Sequence, residues 1–284
     1  MSKTIDTLVE DIYGLFENPH KCDEDRVNEF GQALSQAVSS RLAESRLDSS
    51  FTLRMSNLGK PDRQLWYEKN HRDLGESLES HTKIKFLFGD ILEHLLLFLS
   101  KEAGHTVTHE QETVEVDGVI GHNDAVIDDV LVDVKSASKF SFAKFKSGEL
   151  RDNDPFGYME QLAGYSAGLD DRPGAFLAID KERGHITLME VEVDELQSLD
   201  IKETIKHKKE VLDSPEMPER CYEPVEFGKS GNLSLGVNCS YCPFKFECWK
   251  DANNGIGLRT FIYSSGPVHM VNVAREPNVV EVTF

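Results

Sequence analysis

The sequence predicts an α/β fold in which a central mixed β-sheet is flanked by helices. Three observations indicate it. Apolar residues recur at helical spacing through the first third of the 284-residue chain, which is typical of helices that bury one face. Short runs rich in β-branched residues follow between residues 114 and 134. From there to about residue 212, helix-like and strand-like stretches alternate.

Helical periodicity marks residues 1–60 as a helical N-terminal region. Two stripes of apolar residues recur every three or four positions, as expected of amphipathic helices. A break between Leu47 and Pro61 follows them. The first stripe consists of Ile5, Leu8, Val9, Ile12, Leu15 and Phe16, and the second of Val27, Phe30, Leu34, Val38 and Leu42.

A long helix is predicted from about Lys83 to Ala103, because this stretch is rich in Phe, Leu and Ile and ends at Gly104. Glu93 lies within it, and burying a carboxylate is costly unless something pairs with it. Two interpretations stay open. Glu93 shares a polar side of the helix with Asp90 and His94, or it is the third carboxylate of a metal site.

The most informative feature is a predicted hairpin that places two acidic side chains opposite each other. Asp128 and Asp129 separate two β-type runs, so they are expected to form a two-residue turn, although Asp-Asp is a weaker turn than Asn-Gly. Asp124 then lies opposite Asp133. Like charges so placed are destabilising, and a divalent cation between them would reverse that penalty. The alternative is a solvated hairpin face with ordinary surface charges.

Strand periodicity extends the hairpin prediction to its other residues. Lys135 lies on the same face as Asp133, and His122 is expected beside Lys135 across the hairpin. The opposite face is apolar and is expected to be buried. It consists of Ala125, Ile127, Val130, Val132 and Val134.

The segment that follows, Lys135–Lys146, holds four lysines and three phenylalanines and no acidic residue. A solvated amphipathic helix is one interpretation. Basic residues interleaved with aromatic ones also suit a groove that binds single strands or strand ends, and the position beside Lys135 favours this interpretation. Lys139, Lys144 and Lys146 are therefore candidate nucleic-acid contacts.

Asp154-Pro155 is predicted to open a helix that runs through Leu169, with proline in the first turn. Gln161 and Tyr165 lie one turn apart on one face of this helix. Together they could hydrogen-bond a nucleotide or a phosphate. The alternative is a half-buried helix face with a tyrosine at its edge.

Two strands, Ala175–Ile179 and Ile186–Val193, and a charged helix, residues 194–212, complete a predicted core domain over residues 61–214. The remaining stretch, residues 215–284, is rich in Pro, Gly, Asn and Cys and shows little periodicity. It is expected to be an extension that packs on the core.

Cysteines in this extension have metal-ligand spacing. Cys239 and Cys242 form a Cys-x-x-Cys pair, and Cys248 follows six residues later. This spacing suits zinc or an iron–sulfur cluster. Three free core cysteines are the alternative, which fits so polar a stretch less well.

Composition limits the function classes. A formal net charge of −19 argues against non-specific coating of nucleic acid, because such binding depends on Lys and Arg. No apolar stretch has the length of a membrane span, and the N-terminus lacks the features of a signal peptide. Five cysteines, three of them between residues 239 and 248, fit a reducing compartment. A cytoplasmic protein is expected.

Four short motifs occur in a fixed order on these predicted elements: Gly89–Glu93, Gly121–Asp124, Asp133–Lys135 and Gln161–Tyr165. In this order they resemble the PD-(D/E)XK nuclease superfamily, in its RecB-like branch of CRISPR-associated and phage-encoded exonucleases. The resemblance implies a restriction-endonuclease-like core and hydrolysis of DNA with Mg²⁺ or Mn²⁺.

The resemblance also implies roles for individual residues. Lys135 would orient or activate the attacking water, and Gln161 and Tyr165 would hold the DNA. Family members often have histidine at the position of Glu93, and glutamate is a hard oxygen ligand suited to magnesium. The implied metal ligands are Glu93, Asp124, Asp133 and the Val134 carbonyl.

The cysteine segment is similar to the C-terminal iron–sulfur motif of the same branch. There a fourth cysteine lies upstream, in a segment similar to Met55–Tyr67, where this chain has Asp62. The resemblance implies a [4Fe–4S] cluster, with Zn²⁺ as the alternative. The fourth ligand stays open between Asp62, Cys22, Cys221 and a histidine. The loop could also be held by packing without a metal.

The sequence thus predicts a metal-dependent DNA exonuclease for recombination, replication or DNA degradation. Its substrate would be DNA with a free end or a single strand, and recombination or replication proteins are candidate partners. The compartment would be the host cytoplasm if the protein is phage-encoded. The alternatives are an endonuclease of the same superfamily, of the restriction or junction-resolving type, and a catalytically silent DNA-binding adaptor.

Overall fold

The computed structural model describes residues 3–43, 51–77 and 79–282. Part of the predicted break after the N-terminal helices, residues 47–50, lies outside the described residues. The described residues divide into two compact units. One comprises those within Met1–Gly59 and Leu78–Lys206, and the other those within Lys60–Ser77 and His207–Phe284. The domain boundaries predicted near residues 60 and 214 stay predictions.

In the described chain, four α-helices precede the first strand, and groups of strands and helices follow one another after it. The helices are α1 (Leu8–Glu17), α2 (Glu24–Ala43), α3 (Asp62–Asn70), α4 (Ser80–Glu102), α5 (Lys139–Ser147), α6 (Tyr158–Gly168), α7 (Val193–Gln197), α8 (Ile201–Asp213), α9 (Val237–Ser240) and α10 (Lys245–Cys248). The strands are β1 (Val107–Thr108), β2 (Thr113–Val116), β3 (Val119–His122), β4 (Ala125–Ile127), β5 (Val130–Ala137), β6 (Gly174–Asp180), β7 (Ile186–Val191), β8 (Val225–Phe227), β9 (Asn232–Ser234), β10 (Arg259–Tyr263), β11 (Gly266–Asn272) and β12 (Glu281–Val282).

The first unit is built around a five-stranded mixed sheet in the order β1-β4-β5-β6-β7. Strands β5 and β6 run parallel, and the other neighbours are antiparallel. Strand β6 is a nearly continuous apolar run and is buried along its whole length, as expected of a central strand covered on both faces. The predicted fold class, an α/β fold with a central mixed sheet flanked by helices, is confirmed.

Successive side chains of the central strands enter two different apolar clusters, because they point to opposite faces of the sheet. On one face, Val132 and Leu177 belong to the same cluster as Leu96 of α4. On the other face, the ring of Phe176 lies 5.5 Å from that of Phe145 in α5. A polar residue on β5 is therefore shielded from water by helices on either side.

The predicted hairpin is confirmed together with its register. Ile127 pairs with Val130, and Asp128 and Asp129 form the turn with φ angles of +48° and +69°. Two positive φ angles are typical of the type I′ turn, whose twist suits a hairpin. The face predicted to be buried is also confirmed: Ala125, Ile127, Val132 and Val134 are buried, and Val130 is partly buried.

His122 does not lie across this hairpin from Lys135, so that prediction was wrong. It belongs to β3, pairs with Thr113 of β2 and is exposed. Asp117 and Gly118, both at positive φ, form the turn between β2 and β3. Because β3 and β4 have only four and three residues, their polar-to-apolar sequence resembled a single strand.

The N-terminal stripes are buried unequally. In α1, Leu8 and Ile12 are fully buried, but Phe16 is 74% exposed. Helix α2 contains the second stripe, yet all of its residues keep some exposure, and Leu42 is 80% exposed. The long predicted helix corresponds to α4. Gly104 after it has a φ of +88°, a left-handed conformation that favours glycine at a helix end.

Two later helices differ from their predicted bounds. Helix α6 begins at Tyr158 and not at Pro155, because Gly157 has a left-handed backbone with a φ of +72°. The charged helix predicted over residues 194–212 is two helices, α7 and α8. They are separated near Asp200, which also has a positive φ, so the helical path is interrupted there.

The second unit contains two elements that the sequence did not reveal. Helix α3 buries Leu65, Trp66 and Tyr67, three consecutive residues without helical periodicity. The C-terminal stretch forms a five-stranded antiparallel sheet in the order β12-β10-β11-β9-β8. Its strands are short and bury polar groups, including a 2.8 Å hydrogen bond between the Thr260 hydroxyl and His269 Nδ1. Along the described residues, none of the helices combines the length and apolar character needed to cross a membrane.

Asp128→Ala should destabilise the protein more than Asp129→Ala, by about 1–3 kcal/mol in the free energy of unfolding. Both residues have positive φ, so alanine imposes a similar backbone strain at either position. Of the two side chains, only that of Asp128 accepts hydrogen bonds: one of 3.0 Å from the Thr106 N–H and one of 2.6 Å from the buried His105 ring. Urea unfolding of both variants measures the difference, and equal losses would contradict this role of Asp128.

Candidate active site

The β4–β5 hairpin brings two aspartates to one edge of β5. Asp124 directly precedes β4, and its Oδ2 accepts a hydrogen bond of 2.7 Å from the Val134 backbone N–H. The register of the ladder, continued by one residue, sets Asp124 opposite Asp133. Both carboxylates are therefore held by a strand pair whose turn and pairing fix their positions.

Asp133 is the most unusual residue of this group. It is 1% exposed, and its carboxylate contacts the Lys135 ammonium as an ion pair. The ammonium of Lys135 contacts Oδ2, whereas the buried Oδ1 has no hydrogen-bond partner among the described residues. On Lys135, Nζ lies 4.8 Å from the centroid of the Tyr158 ring. Because an unfilled buried acceptor is costly, Asp133 is suited to bind another group.

The charges of these side chains depend on one another. Burial raises the pKa of Asp133 above its ordinary value, and Lys135 counteracts part of that effect. Burial, followed by the charges of Asp133 and Glu93, raises the pKa of Asp124 well above its ordinary value. Burial disfavours the ammonium of Lys135, but Asp133 and Asp124 outweigh it and raise its pKa. Lys135 is therefore protonated at neutral pH.

Helix α4 contributes a third carboxylate, that of Glu93. Gln111 Nε2 donates a 2.7 Å hydrogen bond to its Oε1. Burial, and next the negative charge of Asp133, raises the pKa of Glu93 to about 7. The two other polar side chains on this part of α4 have different surroundings. Asp90 pairs with an arginine of α2, and His94 lines a pocket beside α2. The structure thus brings Glu93, and not His94, towards the two aspartates.

Helix α6 places Gln161 and Tyr165 one turn apart. Gln161 Nε2 donates a hydrogen bond of 3.3 Å to the Tyr165 hydroxyl. Tyr165 is 2% exposed, and burial, with smaller effects of Asp133 and Asp124, raises its pKa to about 12. Its ring packs on Gly121, where a Cβ atom would come within 2.6 Å of Tyr165 Cε1. Tyr165 is thus a core side chain close to the carboxylates.

The sequence reasoning missed Asp154 and gave Tyr158 no role. Asp154 accepts hydrogen bonds from the backbone N–H groups of Gly157 and Met159, at 3.0 and 2.8 Å, and so stabilises the start of α6. Its charge also raises the pKa of Asp133. An aspartate before a helix is a recognisable capping signal, but its proximity to β5 is a tertiary contact that the sequence pattern does not contain.

The lysine-rich segment Lys135–Lys146 forms the end of β5 and most of α5. Two of its three phenylalanines, Phe142 and Phe145, are buried in the core, whereas Phe140 is 83% exposed. Lys139 and Lys146 are exposed, and Lys144 Nζ donates a 3.0 Å hydrogen bond to a backbone carbonyl. The amphipathic-helix interpretation therefore explains the two buried rings, and Phe140 with the lysines remains on the surface.

The oxygen atoms of the three clustered carboxylates are suitable ligands for a hard divalent cation. Glu93, Asp124 and Asp133 offer oxygen ligands of the type that Mg²⁺ binds. The C=O and N–H of one strand residue point to the same edge, so the Val134 carbonyl lies on the edge where Asp124 is bonded. Among the described residues, the oxygens of these three acids do not all lie within 4.8 Å of one another, so a shared cation would draw them closer.

A different group, His20, Cys22 and Glu102, does have ligand atoms within 4.8 Å of one another. The Glu102 carboxylate is already satisfied, by His20 Nε2 at 2.7 Å, the Asp23 N–H at 3.3 Å and the Arg26 guanidinium at 3.3 Å. Burial disfavours its ionisation, but these partners hold its pKa below the ordinary value. The group is therefore explained as an anchor for the N-terminus of α2.

The three predicted cysteine ligands converge in the second unit. Cys239, Cys242 and Cys248 line one pocket, and Cys221 lines it as well. Burial raises the pKa of Cys239 to about 11, and the Cys248 and Cys221 thiols add to that effect, so the thiols lie near one another. Burial likewise raises the pKa of Cys242 to about 12. Cys22, at the opposite end of the sequence, is exposed and belongs to the first unit.

No family model and no curated protein matches the chain. A solved structure named SSO0001 aligns with a TM-score of 0.40 and 16% identity, covering 77% of this chain and 94% of that one. The alkaline exonuclease LHK-Exo from Laribacter hongkongensis aligns with a TM-score of 0.33 and 14% identity, covering 73% and 86%.

A phage-related exonuclease from Haemophilus somnus 129PT aligns with a TM-score of 0.38 and 18% identity, covering 58% of this chain and 95% of that one. All three TM-scores lie below 0.5. These likenesses describe similarity of the chain trace, and the activity of this protein has to be inferred from its own residues.

In metal-free buffer, Glu93→Gln should become more stable relative to the unchanged protein as pH rises. The unfolded glutamate has a pKa near 4.5 and the folded one about 7, so between these values the native state holds a proton that the unfolded state releases. Raising the pH through this window therefore removes up to about 3 kcal/mol of stability, which glutamine does not lose. Urea unfolding from pH 4.5 to 8 with a chelator measures it.

Glu115→Gln, at an exposed glutamate of β2, serves as the control and should follow the unchanged protein. Parallel pH profiles of the unchanged protein and Glu93→Gln would contradict the raised pKa.

Proposed function

We propose that this protein is a metal-dependent deoxyribonuclease that hydrolyses phosphodiester bonds. The observation that carries the proposal is the buried Asp133 carboxylate: Lys135 contacts its Oδ2, while its Oδ1 has no hydrogen-bond partner among the described residues. A purely structural buried ion pair would be expected to have its acceptor positions filled. An unfilled buried acceptor next to two further acids favours a ligand-binding role.

The neighbouring groups suit a phosphate substrate and a metal. Glu93, Asp124, Asp133 and the Val134 carbonyl would hold Mg²⁺ or Mn²⁺, which stabilises negative charge on the phosphate and lowers the pKa of a bound water. Burial and then the negative charges of neighbouring acids raise the pKa values of Glu93 and Asp124. A bound cation would restore their ionised form.

Lys135 supplies a fixed positive charge in this proposal. Because Asp133 and Asp124 raise its pKa, it is protonated and cannot accept a proton from water. It can orient the attacking water by donating a hydrogen bond, and it can attract a phosphate oxygen. The Tyr158 ring, 4.8 Å from Nζ, limits where the ammonium can move.

The same proposal assigns DNA contacts. Gln161 would contact the DNA near the carboxylates, and the buried Tyr165, whose hydroxyl accepts a hydrogen bond from Gln161, would hold that side chain in place. On α5, which follows the strand carrying Lys135, the lysines Lys139, Lys144 and Lys146 would contact the phosphate backbone. With a net charge of −19, the protein depends on such a local basic surface to attract DNA.

We further propose that the enzyme is an exonuclease used in recombination, replication or DNA degradation. This finer assignment is supported by the order of the four motifs, which resembles the RecB-like branch. The substrate would be DNA with a free end or a single strand, and recombination or replication proteins are proposed partners. The proposed location is cytoplasmic, in the host cytoplasm if the protein is phage-encoded.

Asp133→Asn should lower the rate of Mg²⁺-dependent DNA hydrolysis by about 100-fold or more, because it removes a charged metal ligand from the reaction centre. Asp124→Ala and Lys135→Ala should also abolish most of the activity. Hydrolysis of a labelled linear duplex, followed with Mg²⁺ and with a chelator, measures these effects.

The matched control is Asp180→Asn. Asp180 is 2% exposed and ends the neighbouring strand β6, where its Oδ1 accepts a hydrogen bond from the Glu182 N–H. An amide oxygen can keep that bond, so this variant should remain active. Metal-dependent cleavage retained in Asp133→Asn would rule out the proposed centre, and DNA binding by the unchanged protein without cleavage in Mg²⁺ would favour an adaptor.

An exonuclease should degrade linear DNA and leave covalently closed circular DNA intact. The two substrates can be compared at equal nucleotide concentration in Mg²⁺, with either the 5′ or the 3′ end of the linear form labelled. Early release of label from one end is expected. Cutting of the closed circle at a similar rate would instead identify an endonuclease, which keeps the metal centre but overturns the end-dependent activity.

A further inference from the structure

Four of the five cysteines of the chain surround one pocket in the second unit. Cys239, Cys242 and Cys248 are half-buried, and Cys221 lies at the surface edge of the pocket. Cys221 is eighteen residues away from the next cysteine, so local spacing does not account for its position. The fold of this unit places it there.

A specific set of contacts holds Cys221 beside the other thiols. Its neighbour Arg220 donates hydrogen bonds of 3.1 and 2.7 Å to the carbonyl of Cys248, and the Arg220 guanidinium lies 4.2 Å from the centroid of the Trp249 ring. The Cys221 sulfur also accepts a hydrogen bond from the backbone N–H of Arg63, at the start of α3. Cys221 therefore connects α3 with the segment that carries Cys248.

Asp62, the residue before Arg63, is engaged elsewhere. Its Oδ2 lies 2.7 Å from His207 Nε2, and its Oδ1 accepts a 2.7 Å hydrogen bond from Lys208 Nζ. A carboxylate with two cationic or hydrogen-bonding partners would have to give them up to bind a metal. Cys221 contacts the first turn of the same helix, and its sulfur is available there as a metal ligand.

The spacing of the thiols suits an iron–sulfur cluster without rearrangement, whereas a single zinc ion would have to draw them together. Four thiols are soft ligands that select zinc or iron–sulfur clusters. Tetrahedral zinc with bonds of about 2.3 Å brings its sulfurs to about 3.8 Å from one another. Among the described residues, no three of these thiols have sulfurs that all lie within 4.8 Å of one another. A cluster is several ångströms wide, so its ligating sulfurs are farther apart.

A second observation at the pocket points to an anionic occupant. Arg63 lines the pocket, and its Nε–H is buried without a hydrogen-bond partner in the described structure. A buried unpaired donor is costly. Hydrogen bonds to sulfur are among the interactions that stabilise and tune iron–sulfur clusters, and a sulfide or thiolate would satisfy this donor.

We propose that Cys221, Cys239, Cys242 and Cys248 ligate a [4Fe–4S] cluster, with Cys221 as the fourth ligand in place of any residue at position 62. Each thiol loses its proton on binding iron, and the burial of the thiols is then offset by the metal–sulfur bonds. The small apolar clusters of this unit, Trp66–Tyr67–Phe244 and Leu235–Trp249–Ala252, pack against three of the cysteines. The cluster would join them into one core.

The test is to purify the full chain without oxygen and to measure iron, acid-labile sulfide, zinc and visible absorbance. About four iron and four sulfide per chain are expected. Cys221→Ala should lose at least half of the iron, as Cys239→Ala should, whereas Cys22→Ala and Asp62→Ala should keep the full content. Zinc in place of iron, or an unchanged spectrum in Cys221→Ala, would overturn the proposal, as would loss of the cluster in Asp62→Ala.

A second measurement needs no variant and is informative even if Cys221→Ala fails to fold. The loaded protein is alkylated under native conditions, and the modified cysteines are identified by mass spectrometry. Only Cys22 should react while the cluster is intact, and all five cysteines should react after iron is removed by a chelator. Alkylation of Cys221 with the iron content unchanged would refute its role. Neither readout depends on nuclease activity, so a failed nuclease assay leaves this test independent.

Discussion

The charge of Asp133 at the centre of the mixed sheet is the constraint on which the candidate site depends. At a separation of 4 Å, two unit charges interact by about 1 kcal/mol in water and by about 4 kcal/mol near a protein surface, so shielding by the helices strengthens every interaction of this carboxylate. Strand periodicity places Lys135 on the same face two residues later. Asp124 and Glu93 add two acids to the same region, and one ammonium cannot balance three carboxylates. Burial, and after it this imbalance of charge, raises the pKa of both added acids, and a divalent cation would supply the missing positive charge.

The turn formed by Asp128 and Asp129 stabilises this arrangement in two ways, through its backbone conformation and through the Asp128 side chain. A slip of one residue would move every side chain of β5 to the other face, and Asp133 would then meet the apolar cluster around α4. Asp-Gly or Asn-Gly would form the turn more easily. The Asp128 side chain, however, also binds Thr106 and the buried His105, which ties the turn to the chain after α4. The pairing therefore depends on a tertiary contact as well as on turn conformation.

Features that depend on residues close together in the sequence could be predicted, and features that depend on distant segments could not. The register that sets Asp124 opposite Asp133 depends on alternation within about ten residues, so it could be predicted. The exposure of Leu42 could not, because an apolar stripe shows which face would be buried but not whether a partner covers it. Asp154 and Cys221 come near the candidate sites only through contacts with distant segments. The C-terminal sheet was missed because its strands have two to seven residues and bury polar groups that weaken the alternation.

The two proposed centres differ in the chemistry of their donors, and this difference limits which metal each can take. Carboxylate and carbonyl oxygens select Mg²⁺ or Mn²⁺, whereas thiolates select zinc or iron–sulfur clusters. In the first unit the acids are carried by strands and a long helix whose packing involves two large apolar clusters, so the fold can form before a cation binds. In the second unit the buried apolar clusters contain three residues each. We infer that a ligand at the cysteines contributes to folding there, while a cation at the acids acts on a structure already in place.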